Sequence, residues 1–211
     1  MRLPLTRHGT VAAVEHYYEQ LWERLPEGLE PADFQRRRTF LLGAVHPGER
    51  ALDLGCGAGE FTVALAKAGV EAIGADVAEA ALNRARERHR GLHFVHVPFD
   101  GALPFEDCSF ELVWAGEVIE HVADTAQWLS EVRRVLAPGG RLLVTTPSHG
   151  RWRIALHGVE PFSEPLGDHL HLYTRRSLAT LLGEFGFGEV RVREVGGLPL
   201  LRESLWATAE R

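Results

Sequence analysis

Apolar positions along the chain alternate between two periods, short strand-like runs and longer stretches repeating every three to four residues, with Gly and Pro between them. Residues 51–54, 70–75, 92–97 and 110–115 read as strands, the last a continuous apolar run suited to burial on both faces. The intervening 60–68 and 78–89, and then 123–136, have the helical repeat. Pro138, Gly139 and Gly140 mark the end of that third helix, after which 141–146 gives a fifth strand. Strand and helix in alternation predict a parallel sheet. Beyond a further helix at 174–185, the runs 189–195 and 205–209 are joined by a Gly-Gly and Pro linker too short for a crossover, so they should pair antiparallel. Ahead of the sheet, 14–25 and 34–45 are amphipathic helices separated by a loop around Pro26 and Pro31. Between Pro147 and Tyr173 no periodicity is clear; that segment holds Trp152, His157, Phe162, His169 and His171, and loops of such length are usually functional.

A chain of 211 residues suits one domain. Its expected division is a helical cap at 1–47, a core at 48–146, a substrate-side insertion at 147–173, and a C-terminal helix with antiparallel strands at 174–211. The net charge of −6 offers no basic field for a phosphate backbone, so no nucleic-acid partner is expected. No apolar run approaches the roughly 20 residues that span a bilayer, and the polar start from Met1 to Thr10 lacks a signal-peptide core, so a cytoplasmic protein without a membrane partner is expected. Cys56 and Cys108 read as free thiols. The oligomeric state is not determined by the sequence.

Candidate chemistry concentrates at the first strand-to-helix junction. Ala51-Leu-Asp-Leu-Gly-Cys-Gly-Ala-Gly-Glu60 carries three glycines that permit tight turning and close approach of the backbone to a ligand. Asp76 ends the second strand about 20 residues on, where a carboxylate can take both hydroxyls of a ribose. Together they point to an adenosine-containing cofactor. Charge separates the two main choices. A dinucleotide would lay its pyrophosphate over the turn and favour a third glycine where Glu60 stands, and Asp53, two residues before the first glycine, would oppose it. The same Asp53 would favour the cationic ammonium of a methionyl group. S-adenosylmethionine, with S-adenosylhomocysteine as product, fits better than NAD.

These residues resemble the first two motifs of the class I methyltransferases. The likeness continues through Ala102-Leu-Pro-Phe-Glu-Asp-Cys-Ser-Phe-Glu-Leu-Val113, Glu117-Val-Ile-Glu-His-Val122, Leu136-Ala-Pro-Gly-Gly-Arg-Leu142, the stretch from His169 to Thr174, and Phe185-Gly-Phe187. In that order they resemble the small-molecule subgroup that includes the ubiquinone and menaquinone biosynthesis enzymes. The resemblance implies an α/β fold: a Rossmann-like seven-stranded, mostly parallel sheet with helices on both faces and an antiparallel last strand. It also implies site residues. Gly55, Cys56 and Gly57, with Asp53, belong to the turn that faces the methionyl part, Asp76 meets the ribose, and Val77 covers one adenine face. The subgroup often carries an acidic residue at the position held here by Phe99, and Asp100 follows one residue later. Gly116 resembles a cofactor-contacting position, and Arg37, one of three adjacent arginines, corresponds to a basic residue that reaches the cofactor carboxylate.

Methyl transfer is an in-line displacement at an already activated carbon, so the protein supplies alignment, water exclusion and, for a hydroxyl acceptor, a base. His121 is the candidate base, a structural turn being the competing reading of its stretch. Glu117, Glu120 and His121 also offer donors that suit a divalent ion, and some quinone-pathway relatives use the stretch so; many carry it without one, and no metal is expected here. Most of the remaining histidines read as surface or wall residues, since Asp168-His-Leu-His171 lacks the i, i+4 spacing of a zinc-protease helix. Tyr17, Tyr18 and Trp22 read as helix packing ahead of cavity lining. The expected reaction is O- or C-methylation of a small molecule. Its alternatives are an NAD-dependent oxidoreductase and a cofactor-binding protein without catalysis.

Overall fold

The computed structural model describes residues 11–158, 169–198 and 201–211. Met1 to Thr10, Phe162 and Asp168, named above, lie outside them. Two helices, α1 (Val11–Arg24) and α2 (Phe34–Leu42), precede β1 (Arg50–Leu54), α3 (Glu60–Lys67), β2 (Glu71–Asp76), α4 (Glu79–Arg88) and β3 (His93–His96). Then follow β4 (Phe110–Gly116), α5 (Thr125–Val135), β5 (Leu136–Pro147), α6 (Arg151–His157), α7 (Arg175–Glu184), β6 (Gly188–Val195) and β7 (Ser204–Glu210). The strands form one seven-stranded sheet in the order β3-β2-β1-β4-β5-β7-β6. Neighbours from β3 to β5 run parallel, and β7 lies antiparallel to both β5 and β6. Strand order reverses between β1 and β4, which opens a crevice at the carboxyl ends of these two strands.

The continuous apolar runs of β1 and β4 divide by the two-residue period between two cores. Leu52, Leu54, Val113 and Ala115 face a cluster with Leu129 and Val132 of α5 and Leu178 and Leu182 of α7. Ala51, Leu112 and Trp114 face the other way, onto Leu41 of α2 and Phe61 and Leu65 of α3. Each helix start has a local cause where a side chain can supply one. Asp124 accepts from the Gln127 N–H at 2.9 Å, and Thr174 with Ser177 forms a capping box on α7. No helix among the described residues is long and apolar enough to cross a membrane.

Two expectations need correction. The strand expected at 141–146 begins at Leu136, because the breaker sequence is absorbed as a bulge. Phe110 pairs with Leu136 and Leu112 already with Arg141, and the extra residues are held by Arg211, whose N–H donates to the Gly140 carbonyl at 2.9 Å while its own carbonyl accepts from Gly139. The segment after Pro147, expected without periodic structure, contains α6.

Gly74 of β2 tests the packing directly. A Cβ there would lie 2.7 Å from the Phe94 ring and 2.8 Å from the Thr62 hydroxyl. Gly74→Ala is expected to destabilise the protein by about 1–3 kcal/mol in urea unfolding, and adding Phe94→Leu should recover part of the loss. No loss in the single variant would show that the contact is not tight.

Candidate functional site

At the carboxyl ends of β1, β2 and β4 lies a cavity of about 280 Å³. Its floor is the turn after β1, where Gly55, Gly57 and Gly59 all take positive φ. A side chain at Gly55 would collide with Val118, and one at Gly57 would come within 2.8 Å of the Trp22 ring, so both positions require glycine. The turn is tied to the next strand: Gly55 and Cys56 N–H groups donate to the Ala75 carbonyl at 2.7 and 3.0 Å. Asp76 completes the tie. One carboxylate oxygen accepts from Gly57 N–H at 2.8 Å and the other from Ala78 N–H at 2.9 Å, leaving further lone pairs on each oxygen. Burial pushes this carboxyl above its ordinary pKa, and the Ala78 and Gly57 donors pull it back.

At the cavity wall and behind it three more carboxylates meet one guanidinium: Glu117 borders the cavity, and Asp53 and Glu120 lie behind it. Asp53 is fully enclosed, accepts from the Thr62 hydroxyl at 2.6 Å, and is pushed by burial from an ordinary value of 3.8 to about 7. Arg37 of α2 is buried with its guanidinium 5.1 Å from the Phe61 ring centre and 5.8 Å from that of Trp114. It packs so closely on Gly116 that no side chain fits there. Burial lowers its pKa, opposed first by Glu117 and Glu120. Glu117 itself sits at φ 60, in the left-handed region, where a non-glycine residue stores about 1–2 kcal/mol of strain; its N–H donates to the Thr145 carbonyl at 2.8 Å. Burial raises the pKa of both glutamates, and Glu120 is driven well up by enclosure and by Glu117 beside it. Neither Glu120 oxygen completes a hydrogen bond among the described residues.

Three histidines from separate stretches converge next to Glu120. Leu170 and His171 N–H groups both donate to the Glu120 carbonyl, which lays the 169–173 segment against the end of β4. His149 N–H donates to the Tyr173 carbonyl, and Tyr173 N–H returns the bond to His149 Nδ1 at 2.9 Å. With Nδ1 accepting, a neutral His149 carries its proton on Nε2, which stands 3.2 Å from His169 Nδ1. The His169 and His121 ring centres are 5.1 Å apart, and His121 Nε2 is 3.9 Å from Glu120 Oε1. Glu120, His121 and His169 each bring a donor atom within 4.8 Å of the others, a spacing that could hold a metal ion.

Of the residues singled out in the sequence, Gly55, Gly57, Asp76, Val77, Asp100, Glu117 and His121 border the cavity. Arg37, Asp53, Cys56 and Gly116 lie behind its lining; the Cys56 thiol packs among Leu82, Ala85 and Phe94. Tyr17, Tyr18 and Trp22, expected to serve helix packing, stand in the cavity wall, and sequence reasoning missed Trp128 and Gln127 of α5 opposite them. The missed signal was that the α1 aromatics have no described core residue beneath them: every described side chain of α1 is at least partly exposed.

The methyltransferase-domain family model matches residues 16–191. A demethylmenaquinone methyltransferase of Clavibacter sepedonicus is 35% identical over 150 residues, 68% of this chain and 61% of that protein. The 27-O-demethylrifamycin SV methyltransferase of Amycolatopsis mediterranei is 35% identical over 137 residues, 61% of this chain and 50% of its own length. The chain thus spans between about half and three fifths of these two relatives. In fold it is similar to an S-adenosylmethionine-dependent methyltransferase from Mesorhizobium loti, with a TM-score of 0.70 at 22% identity over 86% of this chain and 98% of that one.

Asp53 carries a pH signature. The unfolded chain releases this proton near 3.8 while the native state holds it to about 7, so native stability falls as pH rises through that window. Asp53→Asn cannot titrate; its unfolding midpoint relative to the parent should therefore climb between about pH 4 and 7 and then level off. A gap that stays constant from pH 5 to 8 would refute the assigned burial cost.

Proposed function

The chain belongs to the methyltransferase-domain family, and on that footing we propose that it transfers the methyl group of S-adenosylmethionine to the oxygen or carbon of a small-molecule acceptor. The observation that carries the reading is Asp76, a buried carboxylate pinned by two backbone N–H groups at the strand-order reversal, beside a turn that only glycine can make. Such a carboxylate suits the two hydroxyls of a ribose, with Val77 along the adenine, Asp100 at the far rim, and the Gly55-Cys56-Gly57 turn at the methionyl part. From behind the lining, the charge of Asp53 favours the ammonium and that of Arg37 the carboxylate of that methionyl group. The cofactor supplies an electrophilic methyl carbon. NAD would set a pyrophosphate against Asp53, Asp76 and Glu117, and the oxidoreductase alternative is set aside with the family match.

The acceptor side of the cavity is formed by Tyr17, Tyr18, Leu21, Val118, Val122 and Trp128. Among the described residues no lysine or arginine borders it, whereas Asp124 and Glu131 do. These walls favour a neutral, largely apolar acceptor over a phosphorylated one, which supports a small molecule and not a nucleic acid. For a hydroxyl acceptor His121 takes the proton as attack proceeds, with Glu120 and His169 at its back orienting the imidazole. Lying over this side, α1 limits the water that reaches the approach.

Two variants separate binding from chemistry. Asp76→Ala should weaken S-adenosylhomocysteine binding at least about tenfold in calorimetric titration, because charge-assisted hydrogen bonds are lost. His121→Ala should leave that affinity nearly unchanged and lower turnover of a phenolic or alcohol acceptor by about 100-fold. Binding of NAD in preference to S-adenosylhomocysteine, or full activity of His121→Ala in the presence of a chelator, would contradict the respective assignments.

A further inference from the structure

One face of α1 meets the ends of three successive strands. Residues 15, 18, 19 and 22 recur at i, i+3, i+4 and i+7, and so lie on one side of the helix. Trp22 covers Gly57 after β1. Glu19 Oε1 accepts from Ala80 N–H at 2.9 Å after β2, and Glu15 Oε1 accepts from Phe99 N–H at 3.2 Å after β3. Tyr18 stacks on Phe99, 6.0 Å between ring centres, and presents an edge to His121 at 6.2 Å.

The Glu19 contact fills a gap in the local sequence. Ala80 is the second residue of α4, whose cap position is Ala78 and which has no side-chain cap of its own. A carboxylate from another helix therefore takes an N–H that a Ser, Thr or Asp at position 78 would otherwise satisfy, and its charge suits the helix N-terminus. The two N–H groups are also well placed for the cofactor. Ala80 lies four residues beyond Asp76, and Phe99 directly precedes Asp100. Yet no described side chain of α1 is fully buried, and none belongs to the hydrophobic clusters of the sheet. Among its described contacts the helix is held at the rim and against α4, outside the two cores of the sheet.

We propose that α1 is a gate over the cofactor compartment, with Glu15 and Glu19 as its latches: positioning residues that act through the backbone of Phe99 and Ala80. The proposal rests on the reading that this cavity takes an adenosyl cofactor. With the latches closed, Trp22 covers the glycine turn, and the cofactor enters or leaves only when α1 lifts. The same helix carries Tyr17, Tyr18 and Leu21 of the acceptor wall, so the acceptor side is complete only when the cofactor side is shut. Cofactor therefore binds first and product cofactor leaves last.

The test compares the parent, the double variant Glu15→Ala/Glu19→Ala, and Glu15→Gln/Glu19→Gln, whose amide oxygens can still accept the two N–H groups. Stopped-flow release of S-adenosylhomocysteine should be at least about tenfold faster in the alanine variant and within about threefold of the parent in the glutamine variant. Hydrogen exchange without any ligand reads the latches independently of the cofactor. The Ala80 and Phe99 amides should lose protection in the alanine variant together with α1, while those of β4 keep theirs, and in the unmodified protein α1, Ala80 and Phe99 should share one opening free energy. Parent-like release from the alanine variant, or glutamine variants as fast as alanine, would overturn the gate. Unchanged Ala80 and Phe99 exchange would overturn the latches themselves. A parent that binds no S-adenosylhomocysteine would remove the cofactor reading and the gate with it, while the exchange result still decides whether the two carboxylates hold α1.

Discussion

Three carboxylates, Asp53, Asp76 and Glu120, are buried at the ends of the central strands with Glu117 half-buried beside them, and among the described residues Arg37 is the one buried cation set against them. Removing charge from water is costly, and a fold that needed only stability would fill this region with apolar side chains. Much of the surrounding sequence is shaped by accommodating it. Thr62 supplies the short hydrogen bond to Asp53, and Gly74 leaves room for Thr62. Gly116 lets the guanidinium lie against the strand end, and Phe61 and Trp114 give it aromatic faces in place of water. The backbone N–H groups of Gly57 and Ala78 do the same for Asp76.

The sheet explains why the charges gather there. Parallel strands deliver their carboxyl ends to one edge, and the change of direction between β1 and β4 keeps helices from closing over the gap. Helix α1 covers the opening from outside the sheet, so the polar floor and the apolar wall come from different parts of the chain. The proposed transfer between a charged donor and an uncharged acceptor would use that division, with an electrostatically set floor to hold one partner and a dry wall to align the other.

The floor was legible in the sequence because it is local. A glycine turn bounded by an apolar run and a helical repeat, followed by an acidic strand end, fixes its own geometry through backbone sterics and period. The walls were not legible, because they depend on side chains brought together from distant stretches. His121, His149 and His169 are brought together with the help of the paired hydrogen bonds of Tyr173 with His149 and of Leu170 and His171 with Glu120. The aromatics of α1 have a packing pattern, but what they pack against is a cavity. The sequence shows the charge of Asp53 but not its enclosure, which leaves this carboxyl about half protonated near neutrality. The breaker at Pro138, Gly139 and Gly140 misled because its hydrogen bonds are completed by Arg211, at the other end of the sequence.

If the enclosed carboxylates exist to receive a cation, binding must drive protons off them. Calorimetric titration with S-adenosylmethionine in buffers of different ionisation enthalpy measures this directly. Net proton release is expected between about pH 6 and 7, with affinity rising over that range and levelling off above the Asp53 value of about 7. Affinity that is flat from pH 5.5 to 8, with heats independent of the buffer, would contradict it.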